Sequence, residues 1–337
     1  MRKVIGLIVI LIVASVSIYF LLPRQSHQSL VLYSADAYTG EVETLAKAFH
    51  DSTGLPLPAV KGGGSFALAR EISQGNPANV FFSVALNAYT PSYMGSFAPG
   101  WAIAIASDQM VIAYSNSTLS NPNGNAVVHE FKQAISTNDS RSFYRAFLDL
   151  TSGVVKVGIS NPNEDPAGFR GWLVLGMAGS IYANSSNFFV QRLLRDSGNV
   201  TGPNAAALVS PLEEGQIQFL LIYKSAAISK GLNFIQLPPW LNLGNVSYSS
   251  FYQRFSYNLS TGPVRGSPIL LFVSVPSHAQ DYAEALGFVE FTVKHASLLS
   301  VFGLTPLNPA LLFNDTALPS QLSTLLSGGE VKEAGGI

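Results

Sequence analysis

The sequence contains no cysteine, which excludes disulfides, thiolate zinc sites, iron–sulfur ligation and a cysteine nucleophile. Charge is scarce too: Asp, Glu, Lys and Arg make up 12% of the 337 residues, against a usual share of about 25%. Neither sign dominates, because 19 basic residues face 20 acidic ones for a net charge of −1. With no basic surplus to neutralise phosphates, no nucleic-acid partner is expected. Catalytic signatures are missing as well. His27, His50, His129, His278 and His295 form no H-E-x-x-H or H-x-H arrangement, and no G-x-S-x-G elbow occurs. The glycines at 62–64 have the spacing of neither a P-loop nor a dinucleotide fingerprint. No enzyme is expected.

What is present is apolar: 47% of residues are hydrophobic, ample for a folded core. A length prior of about 150 residues per domain suggests two lobes. Arg2 and Lys3 precede an uncharged run from Val4 to Leu22, closed by Pro23 and Arg24. At about 1.5 Å per residue a helix there would reach about 28 Å, close to the hydrocarbon thickness of a bilayer. The basic flank places the N-terminus inside and the remainder outside. Residues 1–28 are therefore expected to be a signal or membrane anchor with a short linker, making the chain an exported one, either anchored through this segment or processed. Seven Asn-x-Ser/Thr sequons, at Asn116, Asn138, Asn184, Asn199, Asn245, Asn258 and Asn314, agree with an outward-facing glycoprotein. An Asn- and Ser-rich composition accounts for several of them equally well.

Beyond the linker the pattern alternates between strand and helix. Strands are expected at 30–33, 58–61, 80–84, within 101–114, and at 154–159, 219–223 and 269–275. Helices are expected at 41–50 with Thr39 as N-cap, and at 66–74, 126–135, 168–183, from Asn204 onward, and within 278–295. Such alternation predicts α/β layers with largely parallel sheets. One lobe is expected over 29–114 plus about 263–326 and the second over about 115–262. The tail, 327–337, is expected to be loose.

Four polar turns precede predicted helices: 34–39, the glycines at 62–64, 165–168 and 203–205. Each leaves helix-start N–H groups that suit a desolvated oxyanion, and each lies where α/β sheets place ligands. Read blandly, they are strand-to-helix turns, with Asp165 and Asn204 as N-caps.

Several of these segments are recognisable. V-L-Y-S-A-D-A-Y at 31–38, G-G-G-S-F-A-L-A-R at 62–70, I-S-N-P-N-E-D-P-A-G-F-R at 159–170 and L-E-E-G-Q-I-Q-F-L-L-I-Y-K-S at 212–225 carry the likeness. With G-F-V-E-F-T-V-K-H-A-S at 287–297, they resemble the molybdate/tungstate-binding proteins of ABC importers, in particular the archaeal branch, over about residues 30 to 315. The resemblance implies a type II periplasmic-binding-protein fold: two α/β lobes joined by crossover strands, with the oxyanion in the cleft between them. It makes Ser65 a hydroxyl donor, Asp165 the family's aspartate, and Tyr223 its cleft tyrosine. Asp36 and Ala37 stand where the family has Gly-Ser, so a hydroxyl is lost while backbone N–H groups remain. The archaeal glutamate falls at Ala205, which retains a backbone donor, as does Ala167 at the helix start.

Two carboxylates near an oxyanion are tolerated in the archaeal branch because they ligate the Mo(VI) or W(VI) centre. Here Asp165 remains for such ligation, and Asp36 is the candidate to replace the missing partner. A tetrahedral site and an expanded one both remain open. The implied function is extracytoplasmic capture of molybdate or tungstate for an ABC permease, by a monomer needing no cofactor and bound to the membrane through its N-terminal segment. The alternatives are a binder of sulfate or another small solute, or a ligand-sensing ectodomain.

Overall fold

A computed structural model describes residues 28–337; the expected anchor at 1–28 lies almost wholly outside them. Among the described residues no single helix is long and apolar enough to cross a membrane.

The first sheet begins with β1 (Val31–Ala35), β2 (Ala59–Gly63), β3 (Val80–Ser83) and β4 (Trp101–Asp108). The chain crosses at Gln109 into a second sheet made of β5 (Met110–Tyr114), β6 (Val157–Gly158), β7 (Asn199–Val200), β8 (Phe219–Tyr223) and β9 (Asn233–Gln236). A hairpin, β10 (Ser256–Leu259) and β11 (Gly262–Arg265), precedes the return. Strands β12 (Ile269–Ser274), β13 (Thr305–Asn314) and β14 (Val331–Gly335) then complete the first sheet. Strand order is β14-β13-β4-β12-β3-β1-β2 in the first and β7-β6-β8-β5-β9 in the second.

The helices used below are α1 (Thr39–Thr53), α2 (Ser65–Ser73), α3 (Pro122–Thr137), α4 (Ser140–Leu150), α5 (Pro166–Tyr182), α6 (Phe188–Arg195), α7 (Lys224–Ser229), α8 (Tyr282–Lys294) and α9 (Ser320–Gly328). Every residue of β3, β5 and β8 is buried, which explains their unbroken apolar sequences: layers cover both faces.

Several expectations change. The sheets are mixed rather than largely parallel. Strands β1, β2 and β3 run parallel, as do β6, β7 and β8, but β4, β5 and β12 pair antiparallel with their neighbours. A strand that leaves one lobe and another that returns must run against the rest. Residues 110–114, assigned above to the first lobe, form β5 of the second sheet, so the passage lies at Gln109. The tail is not loose: residues 327 and 328 close α9, and β14 adds a parallel edge to β13. Thr39 does not cap α1 by accepting an N–H; it is the first helical residue, and its hydroxyl donates to the Asp36 carbonyl. The hairpin, the strands β7, β9, β13 and β14, and the helices α4, α6, α7 and α9 are not anticipated by the sequence pattern.

Because β1–β3 are parallel, the turns after them share one edge; the turns after β6–β8 share another. These two edges meet, and the meeting is fastened at the crossover. Asp108, the last residue of β4, accepts from the Tyr38 hydroxyl of the first lobe at 2.8 Å and from the Ser225 hydroxyl of α7. Glu41 lies beside this group, buried in the first turn of α1. Burial pushes its carboxyl up to about 7, and the neighbouring Asp108 charge adds to the rise.

The Asp36 carboxyl is likewise raised to about 7, first by burial and then by the charge of Asp165. Unfolded, both groups would lose their protons at about pH 4. Between that pH and neutrality the native protein holds more protons than the unfolded chain, so stability falls as pH rises through this window. The melting temperature should therefore be higher at pH 5 than at pH 8, and Glu41→Gln should flatten part of that slope. A pH-independent melting temperature in the wild type would contradict the assignment.

Candidate functional site

All seven residues singled out in the sequence are buried where the two edges meet. Asp36 and Ala37 form the turn after β1, and Ser65 opens α2 after β2. Asp165 is the N-cap of α5, with Ala167 two residues on. Ala205 lies in the loop after β7, and Tyr223 ends β8. Their side chains come from segments far apart in sequence, yet they share one hydrogen-bonded region.

The carboxylates organise it. Asp165 caps α5 by accepting from the Ala167 N–H through Oδ1 at 3.0 Å, and its Oδ2 accepts from the Ala205 N–H at 2.9 Å. The next amide, that of Ala206, donates at 2.8 Å to Oδ2 of Asp36, which comes from the other lobe. Two consecutive N–H groups thus receive two carboxylates, one from each side of the cleft. Burial, above all, raises the Asp165 pKa as well. Two buried carboxyls this close favour sharing a proton.

A second pair of donors sits at the start of α2. The Phe66 and Ala67 N–H groups donate to the Glu164 carbonyl of the second lobe at 3.0 and 3.2 Å. Arg70 of the same helix reaches the Asn163 carbonyl through Nη1 at 3.0 Å. The amides at the helix start after residues 62–64, and those of Ala205 and Ala206, are each engaged by a protein oxygen, either from across the cleft or from the capping aspartate. Asn204 lies one residue before the N-cap Ala205 of the short 3-10 turn at Ala206–Leu208, and its Oδ1 accepts from the Ala207 N–H at 2.9 Å.

Ser65 receives the Val84 N–H on Oγ at 3.4 Å. Tyr223 accepts from Arg170 Nη1 at 2.7 Å, and its ring lies 5.6 Å from that of Tyr38. Burial raises the Tyr223 pKa far above the usual phenol value, so the hydroxyl keeps its proton and can donate.

Arg170 itself, with Val84, Glu164 and Asp108, was not singled out. The signal for Arg170 was available: it is a lone cation in an otherwise apolar helix, at the end of the N-P-N-E-D-P-A-G-F-R segment. The contributions of Glu164 and Val84 are through backbone atoms, which no side-chain pattern reveals.

A family model of bacterial extracellular solute-binding proteins matches residues 30–295. A solute-binding protein of Saccharolobus solfataricus is 38% identical over 319 residues, covering 92% of this chain and 79% of the relative. Another from Sulfurisphaera tokodaii is 38% identical over 314 residues, covering 91% and 83%. Among solved structures, a periplasmic molybdate-binding protein of Azotobacter vinelandii aligns with a TM-score of 0.58 at 18% identity, over 82% of this chain and 99% of its own. A sulfate-binding protein of Mycobacterium tuberculosis aligns with a TM-score of 0.56 at 14% identity, over 92% and 94%. These likenesses show the type II periplasmic-binding-protein fold expected above.

Gly64 makes the closed geometry testable. A Cβ there would lie 2.4 Å from the Glu164 carbonyl oxygen and 2.9 Å from its carbon, both backbone atoms of the opposite lobe. Its φ of −61° suits any L residue, so the obstacle is contact alone. Gly64→Ala should hold the lobes apart while leaving each folded. Small-angle scattering should then report a larger radius of gyration than wild type; an unchanged radius with an unchanged melting temperature would refute this.

Proposed function

The chain belongs to the family of bacterial extracellular solute-binding proteins, and on that premise we propose that it captures molybdate or tungstate outside the cell for the permease of an ABC importer. The observation that carries the ligand class is the convergence of N–H donors at Phe66, Ala67, Ala167, Ala205 and Ala206 onto oxygen acceptors in one buried interlobe region. Buried amides aimed at oxygens are what a desolvated oxyanion requires. An entering anion takes over donors that the Glu164 carbonyl and the Asp36 carboxylate now hold. Ser65 and Tyr223 add hydroxyl donors from either lobe, and the closing lobes form the surface that the permease reads. This role needs no resident cofactor and no catalysis, and it suits a monomer tethered through its N-terminal segment.

The two aspartates decide between oxyanions. At about 4 Å and an effective dielectric of about 20, an ionised carboxylate beside the anion costs about 4 kcal/mol, and a shared proton lowers the cost for the pair. Sulfate offers no compensation for that repulsion. Mo(VI) and W(VI) do, because a carboxylate oxygen can ligate the electrophilic centre. Asp36, brought beside Asp165 by the Ala205–Ala206 amides, supplies the second carboxylate that Ala205 lacks. The fold is shared with a sulfate binder, so sulfate is the reading to test against.

Titration calorimetry of tungstate, molybdate and sulfate should show the first two binding at least roughly tenfold tighter, a difference of about 1.4 kcal/mol. Asp165→Asn keeps the cap on Ala167 but turns an NH2 group toward the Ala205 N–H. It should weaken tungstate and narrow its lead over sulfate, with a thermal melt confirming the fold. Equal or tighter tungstate binding by the folded variant would reduce Asp165 to a helix cap. Preference for sulfate in the wild type would overturn the assigned ligand.

A further inference from the structure

Arg170 is the one buried cation among the described residues, 4% exposed, in a molecule whose other buried charges, Asp36, Glu41, Asp108 and Asp165, are all carboxylates. Its Nη1 donates to the Tyr223 hydroxyl at 2.7 Å and its Nη2 to the Val84 carbonyl at 2.6 Å. Both acceptors are neutral, and none of the ion pairs found among the described residues includes it. Asp165 feels its charge, yet the bonds of that carboxylate run to the Ala167 and Ala205 amides. A buried guanidinium held by neutral oxygens is costly unless an anion completes its surroundings.

Its two bonds have consequences for the site. A hydroxyl oxygen that accepts from a guanidinium must send its own proton elsewhere. The Tyr223 O–H is thereby free to act as a donor within the cleft. Val84 follows β3 in the first lobe, whereas Arg170 and Tyr223 belong to the second. The Val84 N–H also donates to Ser65 Oγ. A single route, Tyr223–Arg170–Val84–Ser65, therefore joins the two hydroxyl donors across the cleft. The planar fork of arginine reaches two acceptors at once; a lysine ammonium at this position is a point charge.

We propose that Arg170 is a positioning residue for oxyanion recognition: it fixes the Tyr223 hydroxyl as a donor into the cleft and ties it, through Val84, to the lobe that carries Ser65. This rests on the oxyanion reading above. It assigns to Arg170 a role through Tyr223, together with the positive charge that offsets the aspartates when an anion enters.

The test is a double-substitution cycle on the full-length chain, with tungstate as the probe in calorimetry and a thermal melt for each variant. Arg170→Gln and Tyr223→Phe should each weaken tungstate roughly ten- to a hundredfold. Combined, they should cost little more than the worse single change, because both remove the same oriented hydroxyl. Arg170→Lys, which keeps the charge but not the fork, should recover part of the loss. If Arg170→Gln does not fold, the cycle is run with Arg170→Lys, whose loss should likewise shrink in the Tyr223→Phe background. Unchanged affinity in a folded Arg170 variant, or losses that simply add in the double variant, would overturn the proposal while leaving the oxyanion reading in place. A wild type that binds none of the three oxyanions would overturn both.

Discussion

Adjacent amides at Ala205 and Ala206, each donating to an aspartate from a different side of the cleft, set the terms for the rest of the structure. Buried N–H groups must find acceptors, and in this region many of those acceptors belong to the opposite lobe. The same requirement brings the Glu164 carbonyl to the start of α2 and the Val84 carbonyl to Arg170. Closure is consequently a matter of hydrogen-bond satisfaction as much as of apolar contact. It also explains why Gly64 carries no side chain, since the approaching backbone occupies the space a Cβ would take.

Bringing acids together in a dry region has an electrostatic cost, and the protein meets it through protonation and local donors. Asp36 and Glu41 are raised to about 7, chiefly by burial. Asp108 is raised by burial too, while the Ser225 and Tyr38 hydroxyls favour its charged form. The last of these acids stands at the crossover between β4 and β5. There it links Tyr38 of the first lobe to α7 of the second. The acids of the hinge and those of the cleft thus answer to the same variable, the number of protons the closed form holds.

Fold and ligand are separable in this architecture. Solved structures that share the architecture include a molybdate binder and a sulfate binder, so the two-lobed frame does not choose between them. On the proposed oxyanion reading, the choice belongs to a few atoms at the strand ends. Helix-start amides receive any oxyanion, whereas carboxylates discriminate by repelling it or by ligating its central atom. Asp36, which stands where the resemblance implies a small-residue turn, accepts from the Ala206 N–H of the opposite lobe and is, on that reading, the group that sets this cleft apart.

Local sequence determined a good deal by itself. Apolar runs at 80–84 and 219–223 read as buried strands, and the acidic first turn of α1 and the Asp165-Pro166 start of α5 marked helix beginnings. The polar turns after strands lie where the lobes meet, because their position follows from strand direction. Tertiary structure decided what depends on partners distant in the chain. The antiparallel crossover strands, the pairing of β14 with β13, and the passage at Gln109 follow from which edge each strand meets. So do the meeting of Asp36 with the Ala206 amide and the placement of Arg170 between Tyr223 and Val84. A sequence records which side chains are available; whether a carboxylate meets an amide 170 positions away is fixed only when two lobes close and their buried polar groups must be satisfied together.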